Sequence, residues 1–243
     1  MTISVSRPAA AQAPGPARRI QVLGWIAFLA VLVAEAVSLW TSPPDRDMGH
    51  LQKLMYVHVP AAWMALLAYG LVFVLSLLYL WKRDEGHDLL AAAAAEVGVV
   101  MNALALVLGS IWGRPTWGVW WTWDARLTST AVLLVIFLGY LALRAFTEDP
   151  DRRARWSAAV GILGFLNSYI VYMSVRWWRT LHQVQSSPET LDPVYTRGLR
   201  MNAIAFLLVL VYFVAKRYRA ARLERAAEAR IEEAALAGEG VHV

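Results

Sequence analysis

Six apolar runs of about 20 residues divide this chain of 243 residues, and they constrain its fold more than any other feature. They cover Ile20–Trp40, Pro60–Trp81, Leu89–Trp112, Thr128–Phe146, Ser157–Val175 and Leu199–Ala215. At ~1.5 Å per residue, about 20 helical residues cross the ~30 Å hydrocarbon layer of a bilayer. Composition agrees: 58% of residues are hydrophobic and only 17% are charged, against roughly 25% in a typical soluble domain. A disordered chain, which needs low hydrophobicity and high net charge, is excluded. The expected fold is an all-α integral membrane protein with six transmembrane helices. Residues 1–19 are read as a disordered N-tail, 20–215 as the membrane domain, and 216–243 as a partly helical C-tail. Ala34-Glu35-Ala36 resembles a signal-peptide cleavage site, but the run of 21 residues around it exceeds an apolar core of about 7–15. It is read as a retained helix.

Charge bias orients the spans, because short cytoplasmic segments accumulate Lys and Arg. With the N-tail, the turns near 82–88 and 147–156 and the C-tail on one side, that side carries fifteen of the 23 basic residues. The other side carries eight: Arg46, Lys53, Arg114, Arg126, Arg176, Arg179, Arg197 and Arg200. Both termini are therefore expected in the cytoplasm. Topology accounts for most of the net charge of +5, and no nucleic acid is needed to explain it. The tryptophans do not follow a symmetric belt. Trp25, Trp81 and Trp156 lie toward the cytoplasmic side, and the other nine of the twelve lie at or near the outer side.

The outer segments, about 41–59, 113–127 and 176–198, hold the residues with chemistry to offer. In the middle one, Trp112, Trp117, Trp120, Trp121 and Trp123 crowd into twelve residues. An interfacial belt needs only one or two per helix end. Gly113, Pro115 and Gly118 suggest a shaped loop over 112–129 rather than a continuing span. A helical turn after Gly118 would put Trp117, Trp120 and Trp121 on one face, and Asp124 stands where it could cap the next helix. Two histidines flank this loop. Pro60 suits a first helical position, which places His58 just outside the second span. If the fifth helix extends outward, Trp178 and His182 are i,i+4 neighbours. Imidazole is a common axial ligand for heme iron, indole rings can stack on a porphyrin, and Arg can pair with its carboxylates. Arg114 and Arg126 bracket the tryptophans, and Arg179 precedes His182 by three residues; lipid headgroups are the ordinary alternative for all three. His50 sits in a polar stretch with Asp45 and Asp47, which suits a solvated residue.

The stretch Trp117-Gly118-Val119-Trp120-Trp121-Thr122-Trp123-Asp124-Ala125-Arg126-Leu127-Thr128-Ser129 resembles the tryptophan-rich WWD signature of heme-handling proteins. With Met55-Tyr56-Val57-His58-Val59-Pro60-Ala61-Ala62-Trp63 and the segment from Asn167-Ser168-Tyr169 to His182, it resembles the heme exporter protein C (CcmC) family of cytochrome c maturation. The likeness covers most of the chain. The chain is too short for the larger synthetase-type relatives. The resemblance implies heme b, held non-covalently and transiently at the periplasmic face of the bacterial inner membrane with His58 and His182 on the metal. It implies delivery to the heme chaperone CcmE, and assembly with the ATP-binding-cassette subunits CcmA and CcmB and the small membrane protein CcmD.

On this reading Trp117, Trp120, Trp121 and Trp123 form a flat platform, and the protein binds and transfers heme rather than catalysing a reaction. The sequence has no Cys, so disulfides, thiolate metal sites and thioether attachment of heme are all impossible. The cargo can therefore be handed on. Three rivals differ in class, one of them a structural subunit with a Trp-rich docking surface and no heme. A b-type electron-transfer protein would carry its ligands inside helices, and no His lies within the six runs. A transporter subunit would show charges or broken helices at midplane. Glu96 is the main such charge, with local pairing or snorkelling the simpler account, and Glu35 lies near the outer end of the first span. Asn102, Asn167 and Asn202 are expected to bond between helices, and Gly98, Gly161 and Gly164 to permit close packing.

Overall fold

The computed structural model of the protein describes residues 16–182 and 191–239. Residues 1–15 of the expected disordered tail fall outside them. Six long helices make up the described chain: α1 (Pro16–Thr41), α2 (Met55–Lys82), α3 (Glu85–Trp117), α4 (Ala125–Phe146), α5 (Pro150–Trp177) and α6 (Pro193–Glu239). Each is long and apolar enough to cross a membrane. Among the described residues there is no strand, only an isolated bridge between Asp45 and Gly49.

The helices outrun the apolar runs at their ends. The first starts at Pro16, so residues 16–19 are helical rather than part of a disordered tail. The last continues 24 residues past Ala215 to Glu239, roughly 70 Å over its whole length. Starts follow local chemistry. Asp84, Asp124 and Asp149 are N-caps whose carboxylates accept from the N–H groups of Gly86, Leu127 and Arg152 at 2.8, 2.8 and 2.7 Å. Pro150 occupies the first turn after its cap.

The central helix is α2, which packs against α3, α5 and α6; α1 packs on α6, and α4 on α5 and α3. The core is aromatic and small-residue: Tyr69 stacks on Phe137 at 3.7 Å between centroids, and Ala61, Ala68 and Ala94 are fully buried. A Cβ at Gly98 would lie 2.7 Å from Tyr69, and one at Gly164 would lie 2.8 Å from Phe137. At Gly161 it would lie 2.9 Å from Val72. All three glycines thus permit close helix approach, as expected. The three asparagines also bond between helices. Asn167 donates to the Ser129 carbonyl (2.9 Å), Asn202 to Ser38 Oγ (2.8 Å) and Asn102, at longer range, to the Thr130 carbonyl (3.4 Å).

Charges at one end of the bundle are paired. Arg144 on α4 makes a bidentate bond to the buried carboxylate of Asp88 on α3, at 2.6 and 2.8 Å. Glu96 pairs with Arg217, and Glu85 with Arg225 at 2.7 Å, which ties the extension of α6 to α3. Local pairing is therefore what Glu96 does. The opposite end gathers segments 42–54, 118–124 and 178–182.

Candidate functional site

His58 lies inside α2, not outside it. A 3-10 turn over His50–Leu54 leads directly into the helix, which begins at Met55 and contains Pro60. Only one turn precedes the proline, so its missing N–H costs a single ladder bond, to the Tyr56 carbonyl. The objection that no His is intrahelical therefore does not hold for His58. Its ring rests on α3. Nδ1 is 2.9 Å from the Ala105 carbonyl, and since a carbonyl only accepts, Nδ1 carries the proton and Nε2 keeps a free lone pair. One turn on, a Cβ at Gly109 would lie 2.9 Å from His58 Cε1. Trp112, nearly another turn on, meets the ring edge-on at 5.7 Å.

The tryptophan segment is less of a loop than expected, because α3 runs through Gly113 and Pro115 to Trp117. A Cβ at Gly113 would lie 2.9 Å from the Trp117 ring, so this glycine lets the indole fold back on its own helix rather than breaking it. Gly118, at φ 80°, ends the helix, its N–H donating to the Arg114 carbonyl at 3.0 Å. No helical turn follows. Residues 118–124 are irregular, so Trp117, Trp120 and Trp121 do not share one helical face. Trp117 and Trp121 are half-buried, whereas Trp120 is 59% and Trp123 83% exposed. Ser110 Oγ donates to the Trp120 carbonyl at 2.6 Å and holds the segment against α3.

The fifth helix stops at Trp177, with Trp178 as an extended C-cap, so Trp178 and His182 are not helical i,i+4 neighbours. His182 instead reaches the site from an irregular segment, its ring centroid 6.4 Å from that of Trp117. Asp124 reaches this segment too. Its Oδ1 accepts from Leu127 N–H to cap α4, and its Oδ2 accepts from Leu181 N–H at 3.1 Å.

His58, His182, Trp117, Trp121 and Arg126 all line one cleft between α2, α3, α4 and α5. It encloses about 1110 Å³ of empty space, its open mouth included. Its lower walls are apolar, with Ala65, Leu66, Leu106, Leu133 and Val171. Trp120, Trp123, Asp124, Arg114 and Trp178 do not line it. Arg114 is exposed and donates to the Gly118 carbonyl at 2.6 Å. His50 is exposed on a separate shallow groove with Trp40 and Lys53. Three N–H groups in the cleft lining are buried without a hydrogen-bond partner: Trp112 Nε1, Trp121 Nε1 and Arg126 Nη1. Such donors are costly unless something accepts from them. Among the described residues no group of three or more His, Cys, Asp or Glu could hold a metal ion. Two imidazoles suit a metal that brings its other ligands with it.

Among the lining residues that the sequence alone does not single out are Met48, Gly109 and, as a cleft wall, Trp112. A signal existed for two of them. Ala105, Gly109 and Gly113 recur every four residues, a small-residue stripe on one face of α3, with Trp112 beside it. Met48 gave none. It is brought in by a turn in which Asp45 Oδ1 accepts from the N–H groups of Asp47 (3.0 Å) and Met48 (2.9 Å).

A family model described as heme exporter protein C matches residues 6–233. A protein of Bradyrhizobium diazoefficiens named heme exporter protein C is 40% identical over 198 residues, 79% of this chain and 75% of that protein. The protein of the same name from Escherichia coli K12 is 35% identical over 212 residues, 84% of this chain and 86% of its own length. One from Paracoccus denitrificans is 35% identical over 205 residues, 82% and 85% of the two chains.

Proposed function

The chain belongs to the heme exporter protein C family, and on that footing we propose that it binds heme b at the periplasmic face of the bacterial inner membrane and delivers it to the heme chaperone CcmE. The role is heme export for cytochrome c biogenesis, and the activity is binding and transfer rather than catalysis. One observation carries the reading: two histidines far apart in sequence line a single apolar cleft together with indole rings and a half-buried arginine. His58 Nε2 and a His182 nitrogen take the two axial positions on the iron. Trp117 and Trp121 contact the macrocycle, and Arg126 donates to its carboxylates. Heme is cargo here, held by coordination and packing in a chain without Cys, so no covalent bond to the protein opposes its release. Trp120 and Trp123 face outward and offer the chaperone a surface beside the cargo. CcmA, CcmB and CcmD complete the assembly.

A second reading has one observation in its favour. The position of His58 within α2 is what a b-type electron carrier would show, although His182 lies outside any helix. Rapid reduction of the bound heme by a quinol would support that alternative.

Transfer itself distinguishes loading from handover. Purified protein loaded with heme and mixed with the chaperone should lose its heme to it. Changing Trp120 and Trp123 together to Ala should slow that transfer about tenfold while leaving heme uptake near wild type. Loss of uptake with an unchanged transfer rate for the heme retained would contradict the division between cleft and docking surface.

A further inference from the structure

The two histidines are held in unlike ways, and Asp124 is the reason. His58 belongs to a helix, and its ring is fixed against α3 by the Ala105 carbonyl at 2.9 Å and by Trp112 at 5.7 Å. His182 belongs to a segment beyond the C-cap of α5. Among the described residues, that segment meets the start of α4 through a backbone bond from Leu181 N–H to Asp124 Oδ2 at 3.1 Å. The other carboxylate oxygen is committed to Leu127 N–H at 2.8 Å. A single side chain therefore joins three parts: the tryptophan segment it ends, the helix it caps, and the backbone next to His182. Asp124 does not line the cleft, so it acts on the cargo only through another residue.

We propose that Asp124 is a positioning residue, a latch that holds His182 at the iron, and that release of heme starts on the His182 side while His58 still holds. This rests on the assignment of His58 and His182 as axial ligands. The step balances simply: the iron–nitrogen bond to His182 breaks, its electron pair stays on the imidazole, and the iron remains five-coordinate on His58. The latch also links acceptor to ligand. Trp120 and Trp123 are exposed on the segment 118–124, so a heme acceptor that docks on them pulls at Asp124 and loosens His182, leaving the seat of His58 untouched.

The test is the rate at which loaded protein loses heme to an excess of heme-scavenging globin. Asp124→Asn keeps an oxygen for the α4 cap, since Asn is as good an N-cap as Asp, but its amide cannot accept from Leu181 N–H. Leu181→Pro removes the donor and leaves Asp124 unchanged. Each should raise the dissociation rate about tenfold, the size of effect a charge-assisted hydrogen bond can carry, and add a five-coordinate component to the spectrum. The decisive comparison is the double mutant. In a His182→Ala background Asp124→Asn should add nothing, whereas in a His58→Ala background its tenfold effect should persist. An unchanged rate in both single variants overturns the latch, as does an equal acceleration in both backgrounds, which would mean general loosening. If His182→Ala itself changes neither rate nor spectrum, the ligand assignment fails, and the latch fails with it.

Discussion

At the scale of single residues, the site depends on how His58 is seated. An imidazole free to rotate presents either nitrogen to a metal. This one is committed, because Nδ1–H donates to the Ala105 carbonyl, and such an outer contact both orients a ligand and raises its basicity. Gly109 makes the seat possible, since a methyl group there would lie 2.9 Å from His58 Cε1. Gly109→Ala should push the ring away from α3 at a cost of about 1–3 kcal/mol, the usual range for overpacking. Heme affinity should fall about tenfold with the helical circular dichroism unchanged; optical titration with heme measures it. The two arginines that bracket the tryptophans are similarly separable. Arg126 lines the cleft with an unpartnered Nη1, and Arg114 is exposed and bonded to Gly118. Arg126→Leu should weaken heme binding severalfold, and Arg114→Leu should leave it within twofold in the same titration.

At the scale of elements, ends and turns decide what reaches the cleft. The turn that brings in Met48 hangs on Asp45, whose carboxyl is held below the usual range by hydrogen bonds from the Met48 and Asp47 backbone. A group with its pKa lowered on folding contributes stability that is present above its ordinary value and lost as pH falls through the lowered one. The turn should therefore hold at neutral pH and open below about pH 4. Amide exchange at Met48, corrected for intrinsic rate at each pH, should show protection vanishing in that window; protection that persists at low pH would remove the carboxylate from the account. Element ends were also where the sequence was least legible. The six spans follow from apolar length alone, and the Asp124 cap was readable from its place before Ala125. Gly113 and Pro115 misled because both are helix breakers in general, yet near a C-terminus a proline loses one bond and a glycine can exist to admit an indole. Pro60 misled likewise, since α2 begins five residues before it, at Met55. The region around His182 was legible only as a residue type, because its position depends on a contact with Asp124 some 57 residues away in the chain.

At the scale of the whole molecule, the ion pairs and the cleft lie at opposite ends of the bundle. Asp88–Arg144, Glu96–Arg217 and Glu85–Arg225 clamp one end, and the irregular segments and most of the tryptophans gather at the other. The bias of Lys and Arg predicts that the clamped end faces the cytoplasm. The absence of Cys makes this directly testable, because any introduced thiol is unique. Val119→Cys should react with a membrane-impermeant maleimide on intact spheroplasts, and Ala229→Cys only after the membrane is broken; the reverse pattern would invert the topology. The central claim is that one heme is held between His58 and His182. Its most direct measurement is the absorption spectrum of the purified protein and of His58→Ala and His182→Ala. The wild-type protein should show a Soret band with a six-coordinate, low-spin signature that becomes five-coordinate and labile in either variant, and identical heme content and spectra in all three proteins would contradict this ligation.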